Sequence, residues 1–127
     1  MTLSSLLERL EKAEGASREL DVAVAEASGW QRRESAHGVY WIAPHGEFDV
    51  VPPYTSSIDA ALTLVPDTYE WEIGGGNPNF DNPAWCDICP REQPYLAELE
   101  FFAEGVNSAI AICIAAIRQL PTTERGE

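Results

Sequence analysis

The feature that most constrains this chain is a helical period that recurs four times. Apolar residues fall at i, i+3, i+4 and i+7 in Leu3/Leu6/Leu7/Leu10, Leu20/Ala23/Val24/Ala27, Ile58/Ala61/Leu62/Val65 and Ile110/Cys113/Ile114/Ile117, so each quartet makes one helix face. The flanking residues agree. Ser17 is placed to cap the second helix and Gly29 to close it, and the break Glu14-Gly15-Ala16-Ser17 predicts an N-terminal helical hairpin. For the fourth, Asn107 or Ser108 caps the start, Arg118 suits the dipole end and Pro121 stops it, giving a long C-terminal helix.

The third helix stands in VPPYTSSIDAALTLVP, residues 51 to 66. The Pro-Pro pair sets an extended approach to Tyr54, Ser56 to Asp59 reads as an S-x-x-D capping box, and Pro66 ends the buried face begun by Ile58. Tyr54, Thr55 and Ser56 are therefore either a cap or a recognition surface.

Three segments read as strands: Val39 to Ile42, Tyr69 to Ile73 and Tyr95 to Phe102. Glutamates alternate with apolar residues in the last two, so one sheet face should meet helices while the other carries carboxylates. The spacing predicts an α+β fold, with helices packed on a small antiparallel sheet in the manner of an αβα sandwich, as a single domain over 1–127. Residues 74 to 94 hold Gly74-Gly75-Gly76 with many Asn, Asp and Pro residues, which predicts a long irregular loop.

Charge narrows the function. Twenty-one acidic residues against eight basic ones give a net charge of −13, and from Glu34 to Pro90 there is no Lys or Arg at all. Such a field repels phosphate backbones and anionic lipid and attracts cationic partners. This argues against direct nucleic-acid binding and for a protein partner with a basic surface. No apolar run reaches the roughly 20 residues of a membrane span, and the N-terminus becomes charged too early for a signal peptide, so a soluble, cytoplasmic protein with three free thiols is expected.

Three ordered blocks, RELDVAVAEASGW (18–30), VPPYTSSIDAALTLVP (51–66) and AIAICIAAI (109–117), together resemble the phage ABA sandwich domain family. The likeness rests on a D-x-x-[VI]-A-x-x-x-GW helix end, a Pro-x-Tyr-[ST] segment and an alanine-rich closing helix. It implies an α/β sandwich from a phage or prophage, and so an accessory protein acting in a bacterial host cell, such as an inhibitor of a host defence component. It brings no activity with it.

The motif NPAWCDICP sets Cys86 and Cys89 in C-x-x-C spacing, half of a zinc site. His37 and His45 are the only imidazoles that could complete it, unless two chains pair their loops in a four-thiolate homodimer. The other reading is of free thiols in a loop. The glycine triplet is not followed by Lys-[Ser/Thr] or a helix, so it reads as a turn and not a phosphate loop. Glu70/Glu72 and Glu98/Glu100 read as the solvated side of strands, no serine stands in an elbow motif, and no catalytic residue is assigned, so an enzyme is not expected. Phe80 and Trp85, aromatics in a polar stretch, read as interface anchors. The leading site is thus Glu70, Glu72, Asp81 and Asp87 around Phe80 and Trp85, facing a basic protein. The alternative is a pocket at Tyr54, Thr55 and Ser56 that sequesters a nucleotide messenger, with Arg32, Arg33, Arg91 and Arg118 as its only nearby cations.

Overall fold

Every residue from Ala109 to Ile117 is buried, so the last helix is the centre of the molecule and not a helix with a single apolar face. A computed structural model describes residues 2–77, 82–92 and 100–120. Its elements run α1 (Leu3–Glu11), α2 (Arg18–Ala27), β1 (Gln31–Ser35), β2 (Gly38–Ile42), β3 (Phe48–Asp49), α3 (Ile58–Leu62), β4 (Tyr69–Gly74), β5 (Ala84–Pro90), β6 (Phe101–Gly105) and α4 (Ser108–Arg118). Among the described residues these make an α+β fold with two three-stranded antiparallel sheets, ordered β1-β2-β3 and β4-β5-β6.

The second sheet carries α4. In β5 the side chains alternate between the two faces, so Ala84, Cys86 and Ile88 lie buried toward the helix, with Ala103 of β6 beside them. The remaining sides of α4 are covered by α1, α2 and α3, through Leu3, Leu6, Leu10, Val24 and Ala61. Gly105 marks where β6 runs closest to the helix: a Cβ there would stand 2.7 Å from the Ala111 amide nitrogen. The first sheet is a satellite. All five residues of β1 are exposed, and Trp30, Trp41 and Ala43 attach this ribbon to the core.

Several expectations change. Residues 84–90 are the middle strand of a sheet and not part of a long loop. The turn chemistry belongs to the β4–β5 hairpin, where Gly75 and Gly76 have φ of +72° and +71°. Helix α4 has 11 residues, an ordinary length and not a long one. The third helix is capped by Ser57, whose side chain accepts from the Ala60 amide at 3.1 Å, in place of Ser56, and Ile58 is 41% exposed. Strand β6 runs over Phe101–Gly105; residues 93–99, which hold most of the expected third strand, and Pro121 lie outside the described residues. β1 and β3 were not expected.

A buried polar knot ties the 51–66 segment to two helix starts. Asp21 is 2% exposed, and its Oδ1 accepts from the Thr55 amide at 2.7 Å and the Thr55 hydroxyl at 2.6 Å, while Arg18 donates to its Oδ2 at 2.9 Å. The Ser17 amide donates to Thr55 Oγ1, and Asn107, which caps α4, donates to the Thr55 carbonyl. Asp21 and Thr55 are both buried, so removing either side chain costs the other a hydrogen bond that water does not replace. Asp21→Ala and Thr55→Val should each cost about 2–3 kcal/mol in urea unfolding, and the double variant should lose less than the sum by about 1 kcal/mol or more. Strict additivity would show that the two side chains do not act on each other.

Candidate functional site

The sheet that carries α4 on one face leaves its other face open, and register decides what gathers there. Glu70 pairs with Cys89, Glu72 with Asp87 and Gly74 with Trp85 across β4 and β5; Asp87 pairs with Phe102 and Trp85 with Glu104 across β5 and β6. Glu100, two residues before Phe102, continues the same face by strand alternation. Five carboxylates thus surround an aromatic centre, in which Trp85 and Phe102 stack with centroids 6.1 Å apart and Phe102 is 51% exposed. Gly74 makes room for this: a Cβ on it would come within 2.7 Å of the Trp85 ring, so the indole lies across bare backbone.

No ion pair neutralises these carboxylates among the described residues, and the Arg118 guanidinium, which reaches this sheet, donates to the Phe102 carbonyl at 2.7 Å. Among the described residues, Lys12 bonds Glu8, Arg18 bonds Asp21, Arg32 bonds Glu34 and Arg118 bonds Glu11, and no ion pair reaches Glu70, Glu72, Asp87, Glu100 or Glu104. The crowding shows at Asp87. Its Oδ1 is closed off from solvent without a partner among the described residues, and its carboxyl is pushed up to about 7 by burial, by a hydrogen bond with Glu100 and by the charges of Glu100 and Glu72. Cys89 is pushed up as well, by desolvation and by the charges of Glu70, Asp87 and Glu100.

The expected site residues separate into different places. Glu70, Glu72, Trp85 and Asp87 come together on the open face. Phe80 and Asp81 lie outside the described residues. Cys86 and Cys89 are not brought together, because a spacing of three in a strand sends the two thiols to opposite faces: Cys86 is buried toward α4, while Cys89 stands on the carboxylate face at 3.9 Å from Glu70 Oε1. No group of three His, Cys, Asp or Glu residues converges as a metal site among the described residues. Thr55 is fully buried with its hydroxyl spent on the knot, so it does not face a ligand; Ser56 is exposed and apart from it. Glu100 joins the site as a carboxylate expected on the solvated side of a strand, whereas Phe102 and Glu104 were not expected there.

Tyr54 belongs to a second feature. It and Trp30 line a cavity of about 510 Å³, floored by Ala116 and Ile117 of α4 and rimmed by Pro44, His45, Pro66 and Leu120. Trp30 Nε1 donates to the Tyr54 hydroxyl at 3.0 Å, and Tyr54 is only 3% exposed.

Comparison with family models, curated proteins and solved structures gives no match for this chain.

The Asp87 proton gives the site a measurable pH signature. The folded state holds that proton to higher pH than an unfolded aspartate does, so its contribution to stability is full at low pH and is lost as pH rises through about 7. Asp87→Asn should match the parent near pH 4 and become more stable than it by pH 8. The gain should be roughly 1–2 kcal/mol after allowance for partial solvent screening. A stability difference that does not vary with pH would contradict this.

Proposed function

We propose that this chain is a non-enzymatic binding module whose open sheet face captures a basic surface of a protein partner. The observation that best supports this reading is the β4-β5-β6 register, which sets stacked Trp85 and Phe102 inside Glu70, Glu72, Asp87, Glu100 and Glu104, carboxylates that have no ion pair among the described residues. Aromatic faces accept Arg and Lys by cation–π contact, and the surrounding carboxylates steer and orient them. The same charge turns phosphate backbones away, so nucleic acid is not the expected partner. The resemblance to the phage ABA sandwich domain family supports a phage or prophage accessory role. The partner is then a host component in the bacterial cytoplasm, and the effect is inhibition.

Sequestration of a nucleotide messenger is the second reading, and the cavity beside Tyr54 favours a small ligand of some kind. No Lys or Arg lines that cavity among the described residues, so a phosphate there has no permanent counter-charge, and the sheet face is the better supported of the two.

Fluorescence anisotropy with a labelled arginine-rich peptide tests the face. Glu70→Lys with Glu72→Lys and Glu104→Lys should weaken binding by about 10-fold or more, while the same charge change at the exposed Glu14, Glu26 and Glu47 should cost less than about threefold. Affinity should fall with added salt and rise as pH passes 7, when Asp87 gains its charge. Equal losses from both triple variants would mean that net charge, and not this face, governs binding.

A further inference from the structure

The cavity beside Tyr54 is independent of the sheet face, and its chemistry restricts what it can hold. At about 510 Å³ it falls in the range of small-molecule sites. Its walls are the rings of Trp30 and Tyr54, with Pro44, Pro66 and Leu120 at the rim, which offer flat apolar surfaces for a planar body. No carboxylate, Lys or Arg lines it among the described residues, and His45 is its one ionisable rim group besides Tyr54.

One polar group is left over. Trp30 spends its indole N–H on the Tyr54 oxygen, and Tyr54, though 97% enclosed by the fold at 3% exposure, donates its own proton to no described residue. Burial holds that phenol in its protonated, donating form. A buried donor without an acceptor is costly, and a ligand that accepts from it relieves the cost.

We propose that this cavity is a binding site for one uncharged, planar heteroaromatic molecule that accepts a hydrogen bond from the Tyr54 hydroxyl. A phosphorylated ligand is disfavoured by the lining, since no Lys or Arg among the described residues offsets its charge. The aromatic body stacks on Trp30 and the prolines, and the acceptor sets its orientation.

The test uses the full chain with three probes in ligand-observed NMR titrations: quinoline, its acceptor-free analogue naphthalene, and a nucleoside monophosphate. Quinoline should bind about fivefold more tightly than naphthalene, and Tyr54→Phe should erase that difference while leaving naphthalene unchanged. Leu64→Trp, at the half-buried rim, should block both aromatic probes, and contacts from bound quinoline to the Ala116 methyl place it in the cavity without any substitution. Three results would overturn the proposal: no saturable binding of quinoline at millimolar concentration, the same preference for quinoline in Tyr54→Phe, or tighter binding of the nucleotide than of quinoline. These outcomes do not depend on the sheet face, so the two readings can fail separately.

Discussion

The structure depends on covering α4 on every side. Ala109 to Ile117 offers no polar flank, and an all-apolar helix in water has to be surrounded. Burying a single large aliphatic side chain is worth about 1.5–3 kcal/mol. With four isoleucines in this run, no other element offers a comparable gain. The sheet supplies one wall through Ala84, Cys86, Ile88 and Ala103, and α1, α2 and α3 supply the others. A strand that turns every second side chain to the helix must turn the alternate ones away. The open face of Glu70, Glu72, Trp85, Asp87, Phe102 and Glu104 is the geometric remainder of burying α4.

Cover alone does not fix where the helix begins, and polar groups do that. Asn107 caps α4 and at the same time holds the Thr55 carbonyl, while Thr55 holds Asp21 near the start of α2. The segment Pro52-Pro53-Tyr54-Thr55 therefore acts as a buckle between two helix N-termini, and Cys113 adds a bond to the Tyr54 carbonyl from inside α4. Tyr54 and Thr55 are neighbours with opposite duties. Thr55 is spent on architecture, whereas Tyr54 lines the cavity, where its hydroxyl accepts from the Trp30 indole N–H.

Legibility followed the physics of each element. Helical faces were readable because a 3.6-residue period and the caps Ser17 and Asn107 are local signals, sufficient without tertiary contacts. β5 was not readable in the same way, since Asn82, Pro83 and Pro90 flank six residues whose alternation of Ala84, Cys86 and Ile88 with Trp85, Asp87 and Cys89 is weaker than the turn signal around it. That one difference decided the cysteines: in a loop two thiols three apart can converge, while in a strand they diverge. Much of the carboxylate face was legible, because Glu70 and Glu72 alternate visibly, Glu100 read as the solvated side of a strand, and Trp85 and Asp87 stood out in a polar stretch; Phe102 and Glu104 needed the strand register to join them. β1, with the sequence Gln-Arg-Arg-Glu-Ser and every residue exposed, gave no apolar alternation to read.

The central claim is that residues 84–90 form the middle strand between a buried helix and an acidic face. Native-state amide hydrogen exchange tests it most directly, because a central strand is protected by ladders on both sides while a loop is not. The account predicts that the amides of Trp85 to Cys89 include slow exchangers, with protection comparable to that of Ile112 to Ala116 in α4. Exchange across 85–89 as fast as in the exposed β1–β2 ribbon would contradict it, and with it the assembly of the carboxylates and aromatics into one surface.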